Sequence, residues 1–254
     1  LQNGFDESKY SWDSLWALYC WWNGGSSAVN QVTSIAKTVF GDFVNQYANS
    51  VQGDVETGDF DNDGYTQKIT FNGVEYKEYK QNSAKWNGVN YWGGSLKRNG
   101  CGPTSIAVVL SGFSQYTNTT PADVASGMSS TGSGTLSTRL SDYGISNTIL
   151  GGTESDLRNA LSNGHPAIVS LSNVWLSDGT RFTSNSSGHI SVAMAISGDN
   201  IYISNVYNSS GMKSGWVPVA DVANAATYVI RIDSNPDNFS NGSSTNSNTG
   251  NSST

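Results

Sequence analysis

The stretch KRNGCGPTSIAVVLSG, residues 97–112, is a polar, glycine-flanked turn that leads directly into an apolar segment. Cys101, one of the chain's two cysteines, lies where the turn meets that segment. Pro103 suits the first turn of a helix, and the apolar residues after it predict a helix over about 102–110 that enters the core. The stretch therefore places a cysteine at the amino end of a buried helix.

Two interpretations of Cys101 follow from this position. A helix amino terminus lowers the pKa of a thiol, because its free N–H groups and its dipole favour the thiolate. Gly100 and Gly102 would let the backbone approach a substrate and turn N–H groups toward a developing oxyanion. A small buried cysteine that serves only packing fits the same residues, so the local sequence leaves both interpretations open.

A nucleophilic cysteine needs a base that accepts its proton. The chain has only two histidines, His165 and His189. His165 follows a predicted helix stop and precedes a proline, whereas His189 opens a predicted strand directly after Gly188. Either imidazole could serve, and a third group would have to orient it and fix its tautomer.

Asn205 and Asn208, on the strand after His189, are the candidates for that third group. A tight turn at 198–200 would place His189 opposite residue 208 or 209. Spacing alone therefore favours Asn208, unless the hairpin is bulged or its loop is longer.

The rest of the chain predicts a mixture of helices and strands. Residues 10–22 and 26–47 carry apolar side chains at helical spacing and predict an antiparallel helical pair. Two strand-like runs joined by Asn72-Gly73 predict a hairpin, and Thr120 and Thr153 are predicted to cap two later helices. Further strands are predicted over 166–171, 189–197, 201–206 and 226–232. Several helices followed by a run of antiparallel strands predict the α+β class.

An acidic loop, GDFDNDGYTQ at residues 58–67, matches the first half of a calcium-binding loop. The predicted ligands are three aspartates and one backbone carbonyl: Asp59, Asp61, Asp63 and Tyr65. Thr70 stands where such loops usually carry a bidentate glutamate. An ordinary acidic turn is the alternative to a structural calcium site.

Composition excludes several classes of function. Only 13% of the 254 residues are charged and the net charge is −7, whereas about 25% is usual and nucleic-acid binding needs a basic patch. No apolar run approaches the roughly 18 residues of a membrane span. There is no G-x-S-x-G elbow and no paired Cys/His spacing of a zinc site. A surface rich in uncharged polar residues is more typical of secreted proteins.

Four segments together resemble papain-like cysteine peptidases, in particular the relatives of the bacterial double-glycine leader peptidases that process bacteriocins. They are YKEYKQNSAKW, YWGGSLKRNGCGPTSIAVVLSGF, LSNGHPAIVSL and SSGHISVAMAISGDNIYISNV. The resemblance covers roughly residues 76–232 and implies a papain-like fold, with the helix that bears the nucleophile packed on an antiparallel sheet. It leaves 1–75 as an N-terminal extension, the helical pair plus the acidic loop, and 233–254 as a Ser/Asn/Gly-rich tail or linker, with a further domain as one expectation.

The resemblance also implies roles for individual residues. Cys101 becomes the nucleophile, His189 the general base, Asn205 the orienting residue and Gln81 the oxyanion-hole glutamine. Many members carry Asp before Pro at the third position, where this chain has SNVY. Gln81 lies farther before the cysteine than in the leader peptidases, and His165 is expected to be non-catalytic.

The expected function is therefore a secreted or cell-surface cysteine peptidase, of a Gram-positive bacterium, that uses a Cys-His-Asn triad without a catalytic cofactor. Its expected partners are peptides, proteins or the peptides of peptidoglycan, with no nucleic acid and no membrane span. Two alternatives stay open: an endopeptidase or amidase specific for peptidoglycan, and an inactive papain-like module that binds at the cell surface.

Calcium binding at the acidic loop has a direct test. A ligand that binds only the folded state raises the melting midpoint, so added Ca²⁺ should raise it by several degrees, with Mg²⁺ as the control ion. Replacing Asp61 with Asn should reduce the rise. An unchanged midpoint at millimolar Ca²⁺ would favour the ordinary acidic turn.

Overall fold

The structure is a computed structural model, and the residues it describes belong to one compact unit, Gln52–Thr254. The described ranges are 56–57, 64–177, 179, 181–183, 188–207 and 214–236. The predicted helical pair, Asp59, Asp61, Asp63, Asn208 and most of the tail lie outside them. Within the described part, no helix is long and apolar enough to cross a membrane.

The described chain begins with five strands, continues with a run of helices and ends with mixed strands and helices. In chain order they are β1 (Glu56–Thr57), β2 (Tyr65–Phe71), β3 (Val74–Tyr79), β4 (Asn90–Tyr91), β5 (Gly94–Ser95), α1 (Leu96–Asn99), α2 (Cys101–Leu110), a short 3-10 helix (Ser114–Tyr116), α3 (Pro121–Ala125), α4 (Ser133–Asp142), β6 (Asn147–Leu150), α5 (Glu154–Leu161), β7 (Ala167–Leu171), β8 (His189–Ser197), β9 (Asn200–Ser204), β10 (Gly215–Pro218), α6 (Val219–Ala223) and β11 (Ala226–Ile232).

A six-stranded antiparallel sheet with the order β10-β9-β8-β7-β11-β6 forms the centre of the fold. Helices cover both faces of this sheet. Because successive side chains of a strand point to opposite sides, each central strand contributes to two cores. Ile190 and Val192 of β8 join the core that contains α2, α3, α4 and the β2–β3 hairpin. Ala193 joins the second core, which contains α5 and α6. This arrangement confirms the predicted α+β class.

Local sequence signals predicted several elements correctly. Asn72 and Gly73 both have positive φ, 51° and 79°, as a two-residue hairpin turn between β2 and β3 requires. Thr120 and Thr153 cap α3 and α5, each in a reciprocal pair with an aspartate three residues later. The helix predicted over about 102–110 is α2, which begins at Cys101.

The β2–β3 hairpin extends across the boundary predicted between residues 75 and 76. Tyr65, Ile69 and Phe71 of β2 pack in the same core as α2. The hairpin is therefore a structural part of the unit that holds Cys101.

Gly100 and Gly102, on either side of Cys101, are required by packing inside the protein. A Cβ atom at Gly100 would lie 2.3 Å from the carbonyl oxygen of Leu96. At Gly102 it would lie 2.9 Å from Leu136 Cδ2 and 3.0 Å from Thr131 Cγ2. Both glycines are buried. The space beside them is filled by Leu96 of α1, and by Leu136 of α4 and Thr131, whereas the sequence predicted that a substrate would lie there.

Replacing Gly100 with Ala should destabilise the fold by about 1–3 kcal/mol or more, because the new methyl group meets backbone rather than a flexible side chain. Gly134 in α4 is the matched control, since a Cβ there has no atom within 4 Å. Replacing Gly134 with Ala should stabilise α4 by about 0.5–1 kcal/mol. Urea unfolding measures both changes, and a Gly100→Ala variant as stable as the parent would contradict the packing explanation.

Candidate active site

Cys101 is the first residue of α2 and is half-buried with a free thiol. Its sulfur accepts backbone N–H hydrogen bonds from Ile190, from Gly102 and from Cys101 itself. Because Ile190 directly follows His189, the sulfur lies against the beginning of β8. The packing of α2 on β8 thus brings the predicted nucleophile and the predicted base to the same end of two elements.

Burial, however, dominates the ionisation of the thiol. It raises the pKa of Cys101 above its ordinary value, and the three N–H groups lower the pKa without compensating for burial. The expectation that the helix terminus would depress this pKa is therefore wrong. The N–H groups at the helix terminus do point at the sulfur, as predicted. The free-energy cost of removing a thiolate from water, however, exceeds the stabilisation that these hydrogen bonds give it.

His189 is buried and its imidazole is held by Asn205. Nε2 of His189 lies 2.8 Å from Oδ1 of Asn205. The backbone N–H of Tyr207 also donates to this oxygen, at 3.2 Å, which fixes the orientation of the amide. An oxygen at this position can only accept, so Nε2 carries the hydrogen and the lone pair of the neutral ring is on Nδ1. That is the tautomer that a general base requires.

A bulge in the β8–β9 hairpin explains how Asn205 reaches this ring. Ser197 pairs with Asn200 next to the turn, but farther along Val192 pairs with Ser204. The register shift between them leaves one extra residue on β8, at Met194. The hairpin is therefore bulged, which is the condition under which spacing no longer favours residue 208.

The bulge also decides which side of the sheet Asn205 faces. Continuing the register one residue past Ser204 places Asn205 opposite Ser191, and residues 189 and 191 point to the same side of the sheet. Asn205 and His189 are then diagonal neighbours, within reach of their side chains. Without the bulge Asn205 would lie opposite Val192, whose side chain points to the other side.

Two effects keep the imidazole neutral. Burial, and after it the positive charge of Lys80, lower the pKa of His189 to about 4, although the bond to Asn205 acts in the opposite direction. With the pKa of Cys101 raised, the site therefore holds a neutral thiol and a neutral imidazole at neutral pH.

Gln81 lies between the two parts of the site. Its side chain is buried and donates from Nε2 to the carbonyl oxygen of Lys97, at 2.9 Å, in the helix α1 that leads to Cys101. Its backbone N–H donates to the carbonyl oxygen of Val206, at 2.7 Å, next to Asn205. The structure thus places Gln81 against both chain segments that carry the predicted triad.

His165 is far from this group. It precedes β7, whereas His189 pairs with Leu171 at the other end of that strand. His165 is buried, and its Nδ1 lies 3.1 Å from the carbonyl oxygen of Ile232. This is a position expected of a structural histidine.

Tyr65 is the one predicted calcium ligand that the structure describes. It begins β2, its side chain is buried, and its ring packs edge-on against Tyr79 with centroids 5.9 Å apart. Among the described residues, no group of three or more His, Cys, Asp or Glu could hold a metal ion. The acidic loop itself stays a sequence prediction.

Sequence reasoning missed residues that surround the thiol and the imidazole. Burial raises the pKa of Tyr91, and the charge of a Cys101 thiolate adds to the rise, which places Tyr91 near the sulfur. Its hydroxyl donates to the carbonyl oxygen of Ser130, at 2.6 Å.

Glu78 and Lys80 were missed as well. Their alternation with Val74 and Tyr76, on one face of β3, is the signal that could have indicated burial.

Comparison with known proteins identifies a family and several related structures. The family model described as Peptidase_C39 like family matches residues 73–231. The crystal structure of a candidate C39-like peptidase from Bacillus anthracis is 14% identical and superposes with a TM-score of 0.39, covering 54% of this chain and 90% of that one. None of the curated proteins searched matches the chain.

The state of His189 can be tested by long-range ¹H–¹⁵N NMR during an acid titration. The ring should protonate with a midpoint near pH 4, and a His189→Gln variant assigns the signals. Because the unfolded ring titrates near 6.5, the unfolded state binds the extra proton first, and the free energy of unfolding should fall as the pH drops from about 6.5 toward 4. A midpoint near 6.5 would contradict the buried, neutral imidazole.

Proposed function

The chain belongs to the Peptidase_C39 like family, and from that premise we propose that it is a cysteine peptidase that hydrolyses peptide bonds through Cys101, His189 and Asn205. The observation that carries this proposal is the 2.8 Å bond from His189 to Asn205, on a strand whose next N–H group meets the Cys101 sulfur. A buried imidazole with a fixed tautomer, next to a thiol at a helix terminus, is the arrangement that nucleophilic catalysis by cysteine requires.

In the proposed reaction, Sγ of Cys101 attacks the carbonyl carbon while Nδ1 of His189 takes the thiol proton. Because both groups are neutral, the proton moves as the sulfur–carbon bond forms. The imidazolium then gives its proton to the leaving amine, the C–N bond breaks, and the acyl-enzyme and the first product remain. Water, deprotonated by His189, attacks the acyl-enzyme; the sulfur–carbon bond breaks, the imidazolium returns the proton to the Cys101 sulfur, and the second product leaves as a carboxylic acid.

Gln81 and the backbone N–H of Cys101 are the proposed donors to the oxyanion. Nε2 of an amide carries two hydrogens, and the bond to the carbonyl oxygen of Lys97 uses one of them. The second remains for the substrate oxygen. Losing one such donor costs about 10²–10³-fold in kcat in other enzymes.

We place the enzyme outside the cytoplasm, secreted or on the cell surface, because only 13% of its residues are charged. The proposed substrates are peptides or proteins, and the peptides of peptidoglycan are the alternative for the same site. The proposed catalysis uses groups of the chain and water without a cofactor, and a structural calcium ion at the acidic loop remains part of the proposal.

The function is tested by incubating the protein separately with a denatured protein and with purified cell walls, and then identifying new amino termini. The parent protein should generate them, and the Cys101→Ala variant should lose this activity by more than about 10³-fold. The matching control is the melting midpoint of the variant, which should stay close to that of the parent.

The substrate that yields new termini separates a general peptidase from a peptidoglycan-specific one. New termini that persist in the Cys101→Ala variant would exclude the proposed nucleophile. Their absence with both substrates, from a folded parent protein, would instead favour an inactive binding module.

A further inference from the structure

Two charged residues, Glu78 and Lys80, lie on the buried side of the β2–β3 hairpin. They follow Val74 and Tyr76 at a spacing of two, on the strand face that packs into the core. Only 2% of the Glu78 side chain and 9% of the Lys80 side chain are exposed. Charged groups so deeply buried are rare unless they are paired or serve a function.

The carboxylate of Glu78 is surrounded by donors. Oε1 accepts hydrogen bonds from the hydroxyls of Ser204 and Ser214, at 2.7 and 2.5 Å. Oε2 accepts from the amide of Gln67 and faces the ammonium of Lys80, both at 2.9 Å. Burial raises the pKa of Glu78, but the Lys80 charge and these hydrogen bonds more than compensate and hold it below the ordinary value. The carboxylate is therefore ionised.

Both backbone groups of Asn205 are attached to this ion pair. The ammonium of Lys80 donates to the carbonyl oxygen of Asn205, at 2.5 Å. The N–H of Asn205 donates to the hydroxyl of Ser214, at 2.9 Å, and that hydroxyl in turn donates to Glu78. The residue that holds the His189 ring is thus fixed on both sides by one buried pair.

A contribution to stability alone does not explain such a pair. Removing two charges from water costs about as much as their attraction returns, so neutral residues of similar volume are often equally stable. The bonds do, however, determine where the Asn205 backbone lies after β9 has ended. Asn205 directly follows Ser204, the last residue of β9.

We propose that Glu78 and Lys80 are positioning residues of the active site: the buried pair fixes the backbone of Asn205, and through it the orientation of the His189 ring. This inference rests on the proposed function for its catalytic consequence, but not for the geometry it describes. Neither residue needs to touch a substrate.

The pair also acts on His189 through its charge. The groups that act on this ring are Lys80 from the end of β3 and Asn205 from the end of β9, while Cys101, at the start of α2, meets the backbone N–H of the next residue, Ile190. Of these, Lys80 carries the positive charge. Its removal should raise the protonation midpoint of His189, because a nearby cation opposes the imidazolium.

The decisive test is the double variant Glu78→Gln, Lys80→Met, which removes both charges and keeps the side chains' approximate volume. Lys80→Met alone would leave Glu78 charged and unpaired in the core, so loss of folding would obscure its result. The double variant should fold, with kcat lowered by about 10- to 100-fold and KM within about twofold, because misplacement of a catalytic group by about 1 Å has this effect. The His189 midpoint, measured by NMR in a Cys101→Ala background, should move up from about 4.

Lys68→Met is the matched control. It breaks the Lys68–Glu75 pair on the same hairpin, whose side chains are 27% and 51% exposed. It should change neither kcat nor the His189 midpoint. The inference is overturned by a folded double variant in which both quantities equal those of the parent protein. It is also overturned by a double variant that does not fold, since the pair would then serve the fold as a whole.

Failure of the inference and failure of the proposed function can be distinguished. If the parent protein hydrolyses no peptide bond, the proposed function fails, yet the NMR midpoint still reports whether the ion pair controls His189. If the parent is active and the double variant behaves like it, only the positioning role is lost.

Discussion

The contact between the beginning of α2 and the beginning of β8 is the constraint on which the site depends. It brings the Cys101 sulfur against the N–H of Ile190, so the thiol and the imidazole come from elements far apart in sequence but directly packed together. Around the cysteine, Gly100 and Gly102 allow close packing, because a Cβ atom at either position would meet Leu96 of α1, or Leu136 of α4 and Thr131. The glycines around the cysteine thus act on the active site through packing of the protein with itself.

Burial has opposite consequences for geometry and for ionisation. It holds the imidazole in one orientation and one tautomer. The N–H of Tyr207 fixes Oδ1 of Asn205 as the atom that faces the ring, and this oxygen accepts a hydrogen bond from Nε2 of His189. The same burial raises the pKa of Cys101 and lowers that of His189. Because both shifts favour the uncharged forms, the thiolate–imidazolium pair is costly. Charge separation is then tied to the attack on the substrate, where the tetrahedral oxyanion and its donors share the cost.

How far the sequence predicted this fold and site depends on how local the deciding signal is. The turn at Asn72-Gly73, the caps at Thr120 and Thr153, and the helix from Cys101 are set by neighbouring residues, and they were predicted.

Helix α4 was missed because Leu136 and Leu140 are its only buried residues, within a segment rich in serine and threonine. The edge strand β10 is four residues long and ends in a proline, which periodicity does not reveal. Cys101, His189 and Asn205 were singled out by resemblance, since spacing alone favoured Asn208.

The residues around Asn205 show why long-range pairing escapes a reading of one segment at a time. Its side chain faces His189 because β8 has one extra residue at Met194, and nothing in the run AMAISGDN marks a bulge. Its backbone is held by Lys80, which lies 125 positions earlier in the chain. An unbulged hairpin would turn Asn205 away from the ring, and a hairpin without the ion pair would lose the bond from Lys80 to its carbonyl oxygen and the link from its N–H through Ser214 to Glu78. The bulge at Met194 and the Glu78–Lys80 ion pair therefore both act on Asn205. Such double control is expected where the direction of a single hydrogen bond determines whether an imidazole can serve as a base.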